Sequence, residues 1–343
     1  MQRTVQFKIL PTKMQEDLLV KTTEEYISSV NTCLDWMYMF DSFGKLSSRN
    51  VPGKLPSALK NQVARDAKSI YRKFLRGTVQ KLPLLKKPVS IWNNQNYTLG
   101  DASISFPVWD GKSSRLRVKA LITDEQYSIL RNCKPGTLRI TQKGRKWIAQ
   151  IAVETSSAEP VSGGAMGLDL GIKVPAVCYT DNGKIKFVGN GRKIKALKRR
   201  YASKRKRLQK AGKGYAVRKL GDKENRVMRD IDHKLSREIV GFAISNGIGI
   251  IKLEMLQNIR QQARKSRKNN RSLHSWSFYR LVSYIEYKAK LAGINVEYVN
   301  PAYTSQKCPA CGSINHAEDR SYSCACGFRG HRDIVGARNI LAA

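Results

Sequence analysis

Four of the seven cysteines crowd into the stretch Cys308–Cys326, and their spacing constrains the fold more than any other feature of the chain. Cys308-Pro-Ala-Cys311-Gly forms one knuckle and Cys324-Ala-Cys326-Gly a second. An odd total with most members in one cluster is not a disulfide framework. It reads as a metal site in a reducing compartment. Four thiolates surround a tetrahedral Zn²⁺ at about 2.3 Å, and the Gly after each pair lets the backbone turn beneath the sulfurs. His316 and His331 are the alternative donors. Four protein ligands leave no position for water, so the expected role of this one Zn²⁺ is structural. A segment this short buries little apolar area, so the metal supplies its folding energy.

Charge sets the next limit. The 343 residues carry 63 Lys and Arg against 26 Asp and Glu, a formal net charge of +37. Such a chain repels itself unless a polyanion is its partner. An anionic membrane is the rival partner, but no basic amphipathic helix here bears the Trp/Phe/Leu face that such surfaces favour. No apolar run approaches the ~18 residues of a membrane span. The start, MQRTVQFKILPT, lacks the apolar core of a secretion signal. Nucleic acid is the expected partner. The densest basic stretch, residues 192–219, holds 14 Lys or Arg and no acid. Unbalanced like charges at i,i+4 destabilise a helix, and phosphate relieves them. Lys198, Arg199, Arg200, Lys204, Arg205 and Arg207 are its candidate contacts. A second basic stretch, RQQARKSRKNNR at 260–271, adds Arg264 and Arg267. It reads as a lid over an active site or as a disordered loop.

In a chain this poor in acids, three carboxylates stand out. Asp169 lies in the apolar run Met166-Gly-Leu-Asp-Leu-Gly171, Glu254 closes Ile248-Gly-Ile-Ile-Lys-Leu-Glu254, and Asp333 opens the last helix. An acid in a buried strand costs free energy unless it is paired or binds a cation. Each alone has a plain reading as a strand-end acid or a helix-dipole partner. Together, two on strands and one on a closing helix converge on two Mg²⁺ (or Mn²⁺) ions, which activate a water against a phosphodiester.

Hydrophobic periodicity orders the rest. Gln2–Leu10 alternates as a strand. Residues 14–43 and 56–76 read as helices. SISFPVW, RLRVKAL, TLRITQ and KWIAQIAVE read as strands, with turns at Asp110-Gly111 and Lys143-Gly144. These strands predict a small β-barrel or sandwich interrupted by a helical insertion. TSSAEPVSGG, residues 155–164, reads as a linker. Beyond it come three strands, helices at about 192–210 and 215–246, a strand to Glu254, a helix near 274–292, the strand INVEYV, the cysteines and a last helix from about 332. That is the order of an RNase H-like α/β sheet.

GLDLGI, KLEML, the pattern Trp276 to Lys288, TSQKCPACG and SCACGFRGHRDIVGARNI closely resemble the transposon-encoded TnpB family, relatives of the type V CRISPR effectors. LPSALKNQVARDAKSIYRKF at 55–74 resembles that family's recognition-lobe helix. The resemblance implies a multidomain α+β protein. Its parts are a wedge β-barrel at 1–12 and 89–155, a helical recognition insert at 13–88 and a linker at 156–164. A RuvC-like nuclease domain follows at 165–304 and 331–343, interrupted by a zinc-binding, target-nucleic-acid segment at 305–330. It implies an RNA-guided DNA endonuclease with Asp169, Glu254 and Asp333 as catalytic acids. A guide RNA and a double-stranded DNA target with a short adjacent motif are the implied partners, and a monomer in prokaryotic cytoplasm, at the nucleoid, is the implied setting. A guided DNA-binding repressor without cleavage and a compact type V effector are the alternatives. Two departures stand out: the second knuckle is C-x-C where many relatives carry C-x₂-C, and RDIVGARNI replaces the commoner Asn-Ala-Ala.

Overall fold

Alternation over Gln2–Leu10 turns Val5, Phe7 and Ile9 inward and makes this stretch strand β1. The computed structural model describes residues 2–40, 46–155, 158–255, 278–317 and 319–343. They fall into two units, Met1–Ser156 and Ser157–Ala343.

In the first unit β1 is followed by helices α1 (Lys13–Met39) and α2 (Ser57–Leu75). Thr12 starts α1 through a reciprocal cap: its Oγ1 accepts from the Gln15 N–H, and Gln15 Oε1 accepts from the Thr12 N–H. The helices bury matching stripes, Leu19, Tyr26, Val30 and Leu34 on one and Leu59, Val63, Ala67 and Tyr71 on the other. The strands then follow as β2 (Val89–Trp92), β3 (Thr98–Gly100), β4 (Ser103–Asp110), β5 (Lys112–Leu121), β6 (Lys134–Lys143) and β7 (Lys146–Glu154). Helix α3 (Asp124–Asn132) lies between β5 and β6. One antiparallel sheet results, in the order β2-β6-β7-β1-β5-β4-β3. Its edges, β2 and β3, do not pair with one another, so the predicted barrel or sandwich is a half-barrel sheet. The N-terminal strand sits between β7 and β5, as the split arrangement of strands requires. Helix α3 and the short strands β2 and β3 were not singled out by periodicity.

The second unit opens on β8 (Gly164–Asp169), β9 (Ala176–Thr180) and β10 (Ile185–Val188). Two long helices follow, α4 (Gly191–Lys210) and α5 (Gly214–Ser245), then β11 (Ile248–Glu254). After these come α6 (Phe278–Leu291), β12 (Asn295–Val299), the short hairpin β13 (Ser321–Ser323) and β14 (Arg329–His331), and α7 (Arg332–Ala342). The main sheet runs β10-β9-β8-β11-β12, antiparallel across its first three strands and parallel across β8, β11 and β12. Leu235, Ile239 and Ala243 of α5 and Leu281, Ile285 and Ala289 of α6 cover one face. Helix α7 covers the other, and it sits so close that a Cβ on Gly167 would stand 2.0 Å from the Ala337 carbonyl oxygen. Only glycine permits that approach. The Val161 and Gly164 N–H groups, at the end of the predicted linker, already donate within this unit, to Gly293 and Gly247.

Candidate active site and metal centre

Asp169 is the last residue of β8 and Glu254 the last of β11. The strands run parallel with Leu168 opposite Leu253, so the two acids leave adjacent strands at one level. Alternation buries both leucines beneath α5 and α6 and turns the acids toward α7. That helix brings Asp333 in its first turn, and one turn later Gly336 lies against Asp169: a Cβ there would stand 3.2 Å from Asp169 Oδ2. The three predicted acids therefore come together on one face of one sheet.

Their environment is strongly anionic. Burial, then the charges of Glu254 and Asp333, push the Asp169 carboxyl up to about 7, while Arg320 and Arg332 pull it down. Burial also raises Glu254, opposed by the hydrogen bond it accepts from Thr304 Oγ1. Arg320 donates to Asp333 Oδ2 in a partly buried ion pair. His331 caps α7, its Nδ1 accepting from the Asp333 N–H at 3.3 Å. Asn339 of the same helix donates to the carbonyls of Thr304 and Lys307, both at 2.7 Å, and so ties α7 to the chain entering the first knuckle. Thr304 and Arg320 are site residues that the sequence reading did not name. Thr304 lies in the motif TSQKC, and a hydroxyl so placed carries no signal by itself.

The four cysteines meet as their spacing predicts. Their sulfurs all lie within 4.8 Å of one another, with Cys308–Cys326 at 3.7 Å and Cys311–Cys324 at 3.5 Å. A tetrahedron with sulfur 2.3 Å from a central ion has edges of about 3.8 Å. The cluster can hold a metal ion. Each knuckle turns at the glycine anticipated for it, Gly312 at φ +78° and Gly327 at φ +88°. The turns are closed by Gly312 N–H to the Cys308 carbonyl (2.9 Å) and Gly327 N–H to the Cys324 carbonyl (3.0 Å). Hydrogen bonding with Ser313 lowers the Cys311 thiol, while the neighbouring sulfurs of Cys311, Cys324 and Cys308 raise Cys326. The segment has a core of its own, but a small one: Cys308, Tyr322 and Val335 are buried, with Ala317, Cys324 and Phe328 packed beside them. His331 is engaged as the cap of α7, and His316 is not among the residues of the cluster.

The basic run is α4, and its cations divide. Arg199, Arg200, Lys204 and Arg207 are exposed. Arg205 pairs with Glu224 of α5. Lys198 is partly buried, and its pKa is lowered by that burial against the attraction of Asp232, which itself pairs with Arg280 at 2.6 Å. Arg264 and Arg267, with the whole stretch 260–271, lie outside the described residues. No described helix is long and apolar enough to cross a membrane.

Two family models match the chain: "Probable transposase" (OrfB_IS605) over residues 149–272 and "Cas12f1-like, TNB domain" over residues 278–340. The chain is 26% identical to the CRISPR-associated endodeoxyribonuclease Cas12f1 of Sulfoacidibacillus thermotolerans, over 88% of this chain and 79% of that protein. It is 36% identical to the TnpB-like protein MJ0751 of Methanocaldococcus jannaschii, over 43% of this chain and 56% of that protein. Among solved structures, the cryo-EM structure of the Cas12f1–sgRNA–target DNA complex superposes with a TM-score of 0.73 at 16% identity. That match spans 95% of this chain and 82% of that one, a likeness of fold.

Proposed function

This chain belongs to the TnpB family, and from that premise we propose that it is an RNA-guided DNA endonuclease whose catalytic acids are Asp169, Glu254 and Asp333. The observation that carries the reading is the convergence of those acids at the ends of β8 and β11 and the start of α7. The sheet order β10-β9-β8-β11-β12, three antiparallel strands followed by two parallel ones, supports an RNase H-like, RuvC-like class for the second unit.

The donor sets fit the metals differently. Three carboxylates gathered on one face of the sheet, two of them raising the pKa of Asp169, call for cations, and hard oxygen donors suit Mg²⁺ or Mn²⁺. Asp169, Glu254 and Asp333 would hold such ions, which supply a nucleophilic water and charge stabilisation for phosphodiester hydrolysis. Thr304 orients Glu254, and the His331 cap fixes the turn that presents Asp333. The four thiolates suit one structural Zn²⁺.

Guide RNA and double-stranded target DNA are the partners. Base pairing reads the target, which leaves the protein a short adjacent motif and the phosphate backbone. The half-barrel sheet with its helical pair corresponds to the wedge and recognition insert of residues 1–155. Residues 305–330 form the zinc-binding segment. The exposed Arg199, Arg200, Lys204 and Arg207 offer a cationic face to the backbone, to which Arg264 and Arg267 are expected to add, whereas the fold engages Arg205 with Glu224 and partly buries Lys198. Guided binding without cleavage requires none of the three acids, and all three stand in this chain.

The test is cleavage. The full chain is loaded with the RNA that copurifies from its host, whose sequence defines the target, and supplied with Mg²⁺ or Mn²⁺. Asp169→Ala should abolish cutting and leave target binding intact. Undiminished cutting by that variant would sink the assignment.

A further inference from the structure

The short hairpin of the second unit links the two centres. Strand β13 runs from Arg320 toward Cys324, and β14 returns from beyond Cys326 to His331 and passes into α7 with Asp333. Its strands pair through Ser321 opposite His331 and Ser323 opposite Arg329. Cys324 and Cys326 thus sit at the turn, against Cys311 and Cys308 of the first knuckle, and Arg320, His331 and Asp333 at the base.

Three contacts hold Arg320 at that base. The Arg332 N–H donates to the Arg320 carbonyl at 2.9 Å. The preceding Asp319, in the left-handed region at φ +54°, pairs with Lys173 Nζ at 2.5 Å, and Lys173 follows closely on the end of β8 that carries Asp169. The third contact is the guanidinium itself, on Asp333 Oδ2. Among the described residues, Arg320 is the cation in direct ion pairing with one of the three acids. Lys252, on the same face of the sheet, instead donates to the Leu341 carbonyl at the far end of α7.

Resting on the metal-dependent reading of those acids, we propose that Arg320 is the resident counter-cation of the acid site. The cysteine segment, by holding Arg320 on Asp333, sets how tightly that site takes a divalent ion. Arg320 acts through Asp333 and is a positioning residue. A guanidinium and a divalent ion compete for the charge of one carboxylate, so each weakens the hold of the other. Loosening the hairpin at its cysteine end releases Arg320 at the other. The two metal sites are therefore negatively coupled: an intact cysteine cluster lowers divalent affinity at the acids. Couplings of this kind typically amount to 5–150-fold in affinity.

The test is a Mn²⁺ titration of the full chain, with free Mn²⁺ read by electron paramagnetic resonance and zinc content and thermal melting recorded in parallel. The proteins are wild type, Asp169→Asn, Arg320→Gln, Cys311→Ser and the Arg320→Gln/Cys311→Ser double variant. Asp169→Asn should lose the Mn²⁺ site. Arg320→Gln should bind Mn²⁺ roughly tenfold more tightly than wild type. A purely structural Arg320 predicts the reverse, because freeing Asp333 from its support weakens a metal site. Cys311→Ser, which removes the sulfur facing Cys324 at the hairpin's turn, should tighten binding likewise, even where the segment has come undone. The double variant should bind no more tightly than Arg320→Gln alone. Unchanged or weaker Mn²⁺ affinity in Arg320→Gln overturns the proposal, as does wild-type affinity in Cys311→Ser or full multiplication of the two effects. Equal Mn²⁺ binding by wild type and Asp169→Asn removes the acid-site reading itself, and the proposal with it.

Discussion

The acid site and the cysteine cluster are both anionic, and they are built in opposite ways. The acids come from β8, β11 and α7, far apart in the chain, and are brought together by strand register and by a helix packed onto Gly167. Their scaffold is the core formed by Leu168, Leu253, Ile239 and Ile285. The cysteines lie within one hairpin and its approach, over a core of Cys308, Tyr322 and Val335. In the first case the fold makes the site; in the second, on the proposed zinc reading, a metal makes the fold. Removing a donor should therefore spare the structure in one and dismantle it in the other.

The largest effect expected from this contrast is catalytic. If Asp169 holds the catalytic ions as proposed, Asp169→Asn should lower the cleavage rate by at least ~10³-fold. It should leave the circular dichroism spectrum and guided DNA binding unchanged. A variant that unfolds would show that the acid site supports its own scaffold, and the contrast would fail.

At the cysteines the structural effect should dominate. Cys311→Ser should lose zinc, and amide protection through residues 305–330 should fall at least tenfold in hydrogen exchange. The amides of β8 and β11 should keep theirs. Equal loss in the sheet would merge the two regions into one cooperative unit.

A pH dependence sharpens the comparison further. The Asp169 carboxyl, near 7 in the folded chain, returns to an ordinary value near 4 on unfolding. Between those values the folded state binds the extra proton. Without added Mg²⁺ or Mn²⁺, that contribution to stability is full below about pH 4 and is lost as pH rises through about 7. Urea denaturation should show this slope, at most about 1.4 kcal/mol per pH unit, in wild type and a flatter one in Asp169→Asn.

The smallest effect separates cations held by the fold from those offered outward. Arg205→Gln breaks a partly buried pair with Glu224 and should cost about 1 kcal/mol in stability. Arg200→Gln should leave stability unchanged and reduce the salt dependence of nucleic-acid affinity by ~0.7–0.9 in log–log slope.

How much was legible in the sequence follows the same division. The cysteine cluster was readable because its geometry is local: Gly312 and Gly327 stand where knuckle turns require positive φ. The acids were readable as types, since an acid that closes an apolar run is unusual, but their neighbours were not. Arg320 looks like any surface arginine until the hairpin folds it onto Asp333. Arg205 seemed unbalanced because residues 192–219 hold no acid, yet its partner Glu224 lies a few residues beyond that window on the next helix. Helix α3 carried a legible signal in Thr123 and Gln126, which cap each other reciprocally, but the helix is one short element among strands. The half-barrel was read as a barrel or sandwich because alternation gives faces, and whether two edges meet is decided by strand number and tilt.

The register that places Leu168 beside Leu253 also bears on the order in which a ribosome delivers this protein. Pairing β8 with β11 closes a loop of roughly 85 residues, an entropic cost of about 4 kcal/mol that only the assembled sheet and its helices recover. The first unit draws on no later residue for its seven strands, so it can fold while the second is still being made. Asp169 emerges early, Glu254 well after it, and the helix bearing Asp333 last of the three. The growing chain thus carries a candidate acid site that stays incomplete through nearly all of translation, and fragments that stop short of α7 hold two of its acids without the third.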